Sequence, residues 1–235
     1  MAASEFQCTV EGFRMLTPTV FELTFKADRP FSFLGGQFAS VIIPGAGPGG
    51  RNLRRAYSIA SPPESDPVEL CVKVVEEGPG SGYLAKLRPG DVFKAVSPYG
   101  DFVFSPSPER IPVFIGTGTG IAPIRSILLS KQYADNAPTK AYCLFGVRHE
   151  SELLYVNDLC DLATVEWIPT VSQPGANWTG FRGRVTDYLR TLNDDFPWKT
   201  ADFYICGNGP MIQETKSILE EKGVEKSAIH QEKYY

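Results

Sequence analysis

Histidine is nearly missing from this chain; His149 and His230 are the only two. Cysteine is sparse, and Cys8, Cys71, Cys143, Cys160 and Cys206 are scattered, odd in number and never at CxxC spacing. Isolated thiols and two distant imidazoles exclude a zinc or iron–sulfur ligand set of the usual kind, so no metal is expected. No window approaches the ~18 uninterrupted apolar residues of a membrane-spanning helix. The start, MAASEFQCTVEG, lacks the basic residues and apolar core of a secretory signal. With unpaired thiols, these features give the expectation of a cytoplasmic protein without a membrane partner. A basic excess is also missing, since 23 Lys and Arg face 27 Asp and Glu for a net charge of −4. That balance argues against a nucleic-acid partner.

What remains is a chain of 235 residues, 43% hydrophobic and 21% charged, enough for one large domain or two ordinary ones. It has two grammars. Up to about Ser105, short runs such as FELTF (21–25), FASVII (38–43) and VELCVKVV (68–75) alternate or are β-branched, and glycine- and proline-rich turns separate them. Such spacing predicts an antiparallel barrel or sandwich. The one helical stretch there is SGYLAKL (81–87), with Ser81 placed to cap it. After SPSPER (105–110), strands and helices alternate: IPVFIG, then PIRSILLSKQYAD, AYCLFG, SELLYVNDLCDLA, VEWIPTV, VTDYLRTL, ADFYICG and MIQETKSILEEKG. This predicts a parallel sheet with helices on both faces. The expected domains are therefore residues 1–107 and 108–235.

Three short stretches carry chemistry. In RRAYSIAS (54–61), a regular strand puts Arg55, Tyr57 and Ile59 on one face and turns Ser58 to the other. A cation beside an aromatic ring is either a surface pair or half of a pocket for something anionic and flat. In GTGTGIAP (116–123), glycines leave the backbone bare after the first strand of the second half. Pro123 suits the first turn of the helix that follows, and the helix start can receive a phosphate. CGNGP (206–210) repeats the design at the last strand–helix junction, where open α/β sheets bind ligands. Cys206 then either faces that crevice or is a buried core thiol.

Taken in order, RxYS (Arg55, Tyr57, Ser58), the GxxS of GPGS (78–81), GTGTGIAP and CGNGPM resemble the ferredoxin–NADP reductase superfamily over essentially the whole chain. The resemblance implies a two-domain β plus α/β fold. A six-stranded antiparallel Greek-key β-barrel that holds FAD is followed by a Rossmann-like parallel sheet, helices on both faces, that binds NADPH or NADH. In the barrel it implies Arg55 at the flavin pyrophosphate, Tyr57 on the isoalloxazine ring, Ser58 near N5 and Ala56 between them. Val72, Lys73 and Val74 line the flavin through their backbone, and Gly80 and Ser81 give further phosphate donors. In the second half it implies Gly118, Thr119, Gly120, Pro123, Gly207, Pro210 and Met211 at the coenzyme, and Cys206 near the nicotinamide C4. Glu232 and Tyr234 match the acidic–x–aromatic ending of several ferredoxin reductases, Tyr234 stacking where nicotinamide must lie. Tyr235 matches a last aromatic near the FAD adenine. The bland reading of EKYY is a polar tail.

Arg148 and Arg184 match two arginines of NADPH-using bacterial members, while the third position is Gln173. The surrounding SQPGANWTGFRGRV also looks like NADH-using oxygenase reductases. Three readings of the acceptor follow. One is a reductase passing electrons to a separate ferredoxin, flavodoxin or oxygenase component. The second is a flavin or ferric reductase that uses flavin as substrate, and the third is a non-catalytic electron-transfer subunit. The complete RxYS and the aromatic ending favour the first, acting as a monomer.

Overall fold

Alternating apolar residues build the first set of strands. The computed structural model describes residues 2–234. Contacts divide the chain into two units, Met1–Phe104 with Arg125–Gln132, and Ser105–Ile124 with Tyr133–Tyr235.

The first unit contains β1 (Ser4–Thr17), β2 (Val20–Ala27), β3 (Phe38–Ile43), β4 (Leu53–Ser58), β5 (Val68–Lys73), α1 (Pro79–Leu84) and β6 (Val92–Tyr99). The sheet order is β4-β3-β6-β1-β2-β5, and every pairing is antiparallel. An antiparallel bridge between Ile59 and Leu70, with the Ala60 N–H donating to the Glu69 carbonyl at 2.8 Å, joins the two ends of that order and closes a barrel. Every second residue points inward: Phe6, Cys8 and Val10 from β1, Phe21, Leu23 and Phe25 from β2, Leu70 and Val72 from β5, Phe93 and Ala95 from β6. Phe25 meets Phe93 edge to face at 5.3 Å between centroids. Burying each such ring is worth about 1.5–3 kcal/mol, so this inner layer dominates the unit's stability.

Residues 125–132 seat against the same barrel. The Arg125 guanidinium, largely buried, donates to the Ala60 carbonyl at 2.9 Å and to Glu69 Oε2 at 2.5 Å. Ser126 Oγ donates to the Ser61 carbonyl at 2.7 Å. At Gly35 a β-carbon would collide with the backbone of Ser126 and Ile127, so the absence of a side chain there permits the close approach.

The second unit runs β7 (Ile111–Thr117), α2 (Ile121–Leu128, whose last residues belong to the first unit), α3 (Lys131–Asp135), β8 (Ala141–Val147), α4 (Val156–Leu159), β9 (Val165–Val171), β10 (Phe181–Arg182), α5 (Val185–Thr191), β11 (Ala201–Asn208), α6 (Gly209–Glu221) and β12 (Ile229–Tyr234). The strands are all parallel in the order β10-β9-β8-β7-β11-β12. The chain adds strands outward from β7 on one side, then returns to add β11 and β12 on the other. The switch point therefore lies between the carboxyl ends of β7 and β11. One face of the sheet, with Val113, Ile115, Phe203 and Ile205, packs on Val185, Leu189, Met211, Ile212 and Leu219 from α5 and α6. On the other face Phe114 stacks on Tyr204 at 5.0 Å, and Tyr204 on His230 at 4.6 Å. Burial on both faces explains why these strands read as unbroken apolar runs.

Several expected elements differ. The helix read over 123–135 starts at Ile121 and breaks after Leu128, where Ser130 Oγ takes up the Ile127 carbonyl at 2.7 Å. The helix read over 151–163 shrinks to the four residues of α4, because Leu153 is extended and Tyr155 adopts a left-handed φ of 55°. Leu154 and Leu159 are still buried, so the apolar spacing was real while the conformation was not helical. The polar ending is a strand, β12, and not a loose tail. Among the described residues no helix is long and apolar enough to cross a membrane.

The Arg125–Glu69 pair gives a stability prediction. Arg125→Ala leaves Glu69 and the Ala60 carbonyl without their cation and should cost on the order of 3 kcal/mol. The Arg125→Met, Glu69→Leu double variant should cost clearly less, because no charge is stranded. Denaturant melts of the three proteins check this; equal losses in both variants would mean the pair contributes through packing alone.

Candidate functional site

In the first unit the site begins on β4, at the end of the barrel order, where β3 is its ladder partner: Val41 opposite Arg55, Ala39 opposite Tyr57, Phe38 opposite Ser58. Arg55 and Ala56 are exposed, Tyr57 is half-buried and Ser58 is buried. Arg55 holds its guanidinium near the strand through a 2.9 Å bond from Nη1 to the Arg54 carbonyl. Burial pushes the Tyr57 phenol up to about 12, with the Arg55 charge pulling the other way, so the ring carries a neutral hydroxyl at any working pH. The first turn of α1 lies against this pair. A β-carbon at Gly80 would overlap the Tyr57 hydroxyl and press on the Arg55 stem at 2.9 Å. A cation, a flat ring and a helix start thus meet around a position where a side chain is missing. This donor set fits a ligand that is anionic in one part and flat in another, as FAD is.

Ser81 is not the helix cap expected from the sequence. The cap is Gly78, and Pro79 takes the first helical position, where its missing N–H costs nothing. Ser81 Oγ turns inward instead, accepting from the Val75 N–H at 3.0 Å. The Gly80 and Ser81 N–H groups precede the first helical bond, from Gly82 N to the Gly78 carbonyl at 2.9 Å. The strand expected over 72–75 ends at Lys73. Val72 is buried in the barrel, while Lys73 and Val74 are exposed. The Val74 N–H still reaches the Thr19 carbonyl at 2.8 Å, and Val75 then leaves the ladder for Ser81.

In the second unit the glycine turn Gly118–Gly120 follows β7 directly. Gly118 has φ of 54°, a conformation that L side chains rarely take. Gly120 lies so close to β11 that a β-carbon would overlap the Cys206 carbonyl. Pro123 sits in the first turn of α2, and Pro210 and Met211 open α6, where Asn208 Oδ1 accepts from the Met211 N–H at 3.0 Å. Across the switch point, a β-carbon at Gly207 would meet Thr117 Oγ1 and Met211. Among the described residues, Thr117 Oγ1 is buried without a hydrogen-bond partner, as are the hydroxyls of Thr170 and Thr186. Thr117 and Thr170 both border Gly146 at the carboxyl ends of the strands. Their only mark in the sequence is a threonine at or next to the end of each of two apolar strands.

β12 brings the other candidates together. Its register sets Glu232 beside Cys206 and Tyr234 beside Asn208, on the same face as the Tyr204–His230 stack. The Tyr234 hydroxyl donates to the Thr119 carbonyl at 3.4 Å. Cys206 does not open onto the crevice; it is fully buried. Burial first, then the Glu232 charge, raise its thiol far above the ordinary range, against a hydrogen bond with Tyr234. A thiol held neutral in this way is not poised as a nucleophile. Tyr235 lies outside the described residues.

Arg148 and Gln173 are joined through their backbones, Gln173 N–H to Arg148 carbonyl at 2.8 Å, at the ends of β8 and β9. Arg184 stands just before α5, with its N–H on Asp187 Oδ2 at 2.8 Å. All three side chains are exposed. Among the described residues no group of three or more His, Cys, Asp or Glu could hold a metal ion.

Comparison with known proteins agrees with this geometry. Residues 7–104 match the oxidoreductase FAD-binding domain, and residues 114–217 the oxidoreductase NAD-binding domain. The chain is 35% identical over 244 aligned residues to ferredoxin–NADP reductase B of Sorangium cellulosum (strain So ce56), covering 99% of this chain and 98% of that protein. It is 31% identical to the phenol 2-monooxygenase reductase component DmpP of Pseudomonas sp. (strain CF600), covering 98% of this chain but only 66% of that protein. In fold it is similar to a ferredoxin NADP+ reductase from Neisseria gonorrhoeae with bound FAD and NADP, with a TM-score of 0.80 at 23% identity and full coverage of both chains. The barrel, the parallel sheet and an end-to-end relative together make this chain a member of the ferredoxin–NADP reductase superfamily, oxidoreductases with an FAD-binding and an NAD-binding domain.

Proposed function

We propose that this protein is an FAD-dependent NAD(P)H reductase, a flavoprotein that passes electrons to a separate acceptor protein. The proposed domain roles are FAD binding for residues 1–107 and coenzyme binding for 108–235. The observation that carries the reading is the seat at Gly80, where the charge of Arg55, the ring of Tyr57 and the start of α1 converge. FAD, when bound, supplies the hydride acceptor at N5. Arg55 and the Gly80 and Ser81 N–H groups hold its pyrophosphate, Tyr57 orients the ring, and Ser58 with Ala56 and the backbone of Val72, Lys73 and Val74 borders it.

In the coenzyme half, Gly118, Thr119 and Gly120 give the nicotinamide nucleotide access to bare backbone. Gly207, Pro210 and Met211 flank it, and Pro123 starts the helix below. Cys206 and Glu232 set the nicotinamide's position, and Tyr234 covers them until the coenzyme displaces it. No group of the protein needs to move a proton in the hydride step. Arg148 and Arg184 favour NADPH, because paired donors suit a 2′-phosphate. The relatives' names support a ferredoxin-like or oxygenase-component acceptor. Free thiols at all five cysteines fit a reducing cytosol, and each unit's own core fits a monomer.

A purified protein that stays yellow through dialysis supports this reading; a colourless one that reduces added flavin supports the flavin-reductase alternative. Rates with NADPH and NADH against ferredoxin, flavodoxin and oxygenase acceptors then assign coenzyme and partner.

Two predictions follow from the assigned roles. Arg55→Ala removes a charge-assisted contact worth about 1.5–3 kcal/mol, so FAD affinity should fall about ten- to a hundredfold, measured by flavin retained at high dilution. Full occupancy in the variant would contradict the pyrophosphate role.

The second concerns Tyr234. Removing a stacked aromatic spares its displacement, about 0.5–1.5 kcal/mol, so Tyr234→Ala should bind oxidised coenzyme severalfold more tightly. It should also let an alkylating reagent reach Cys206, which the parent chain protects. Unchanged affinity and an unreactive Cys206 would return Tyr234 to an edge-strand role.

A further inference from the structure

The loop after β9, residues 172–180, is rich in small residues and turn formers, yet it is firmly tied. Arg182 Nη2 shares its two N–H groups among three of its carbonyls, Trp178 at 2.9 Å and Gly175 and Ala176 at 3.2 Å each. Glu150 Oε1 accepts from the Gly175 N–H at 2.8 Å. Backbone N–H groups of Glu150 itself and Gly175 hold that carboxyl below its ordinary range, helped by His149 and Arg182. Trp178 Nε1 donates to the Phe181 carbonyl at 3.0 Å, and His149 Nδ1 lies 3.0 Å from the Gln173 carbonyl.

None of residues 172–180 is buried, so these bonds do not serve to seat a core side chain. What they do fix is backbone. Arg182 is one of only two residues in β10, and Arg184 follows two positions later. Gln173, at the loop's start, is bonded to Arg148. The latch therefore ties together the segments that carry both exposed arginines. Ordering a loop costs conformational entropy at every residue, and a loop ordered in advance spares the ligand that cost. Three carboxylates nearby, Glu150, Glu152 and Asp187, would oppose an anion, but each is engaged: Glu152 Oε2 accepts from Arg148 N at 2.9 Å and His149 N at 3.0 Å, and Asp187 Oδ2 from Arg184 N at 2.8 Å.

We propose that Arg182, with Glu150, is a positioning residue for coenzyme selection: it holds the 172–180 loop so that Arg148 and Arg184 are set for the 2′-phosphate of NADPH, and the preference over NADH rests on this latch. The proposal rests on the reading that the coenzyme's adenosine end lies at the carboxyl ends of β8–β10. Arg182 acts through the loop, with Nη2 on its carbonyls, and not by contact with the phosphate.

Calorimetry on the intact, FAD-loaded protein tests it, with adenosine 2′,5′-bisphosphate and 5′-AMP as the probes. Arg182→Gln should weaken the bisphosphate about tenfold, as for loss of one charge-assisted interaction, while 5′-AMP changes little. Arg182→Lys should restore most of the loss, since one nitrogen makes all three bonds. Flavin content and melting temperature should not move. Equal weakening of both probes, or no rescue by lysine, overturns the latch. So does an unaffected Arg182→Gln beside an Arg148→Ala, Arg184→Ala protein that loses bisphosphate binding, and there the coenzyme reading stands. If the double arginine variant binds both probes normally, the coenzyme reading fails and the latch with it.

Discussion

At Gly120 the carbonyl of Cys206 occupies the space where any other residue would carry its β-carbon. That approach locks the turn after β7 onto the end of β11 and decides what else can stand there. Thr117 comes to lie over Gly207, and Thr119 offers its carbonyl to Tyr234. Because β12 pairs with β11 in parallel register, Cys206, Glu232 and Tyr234 then fall on one face. A branched side chain at position 120 would force the strands apart and dissolve all of these relations. The chemistry proposed for this end of the sheet needs bare backbone more than it needs any reactive group.

The barrel solves a parallel problem with a different omission. There the missing side chain is at Gly80, and the Tyr57 hydroxyl and the stem of Arg55 close into the space it leaves. A phenol held neutral by burial and a guanidinium that stays charged can bind without changing protonation state. The buried thiol of Cys206 has the same property in the other half. Both units position groups whose protonation state does not change, as suits a reaction that transfers hydride and not a proton.

Much of this was legible in the sequence where a physical rule had no competitor. FASVII and VEWIPTV became β3 and β9 at the expected residues, since β-branched runs between turn formers have no better conformation. The glycine turns were readable because only a close approach explains so much bare backbone. Other features were set by neighbours. IHQEKY has too polar a pattern to announce a strand, and it pairs because β11 would otherwise present an open edge. Ser81 looked like a cap, but Pro79 fixes the helix start two residues earlier and frees the hydroxyl to tie Val75. The work of Arg182 and Glu150 could not be read at all, because their partners are main-chain groups, which sequence does not distinguish.

In the proposed reaction the chain holds FAD and the nicotinamide coenzyme reduces it directly. The most direct measurement is anaerobic stopped-flow of the purified protein mixed with NADPH, or with NADPH deuterated at the transferred C4 position. The flavin absorbance should bleach in one step with one coenzyme per flavin, and deuterium should slow it. A flavin band that the coenzyme does not bleach, or bleaching only of added free flavin, would contradict it.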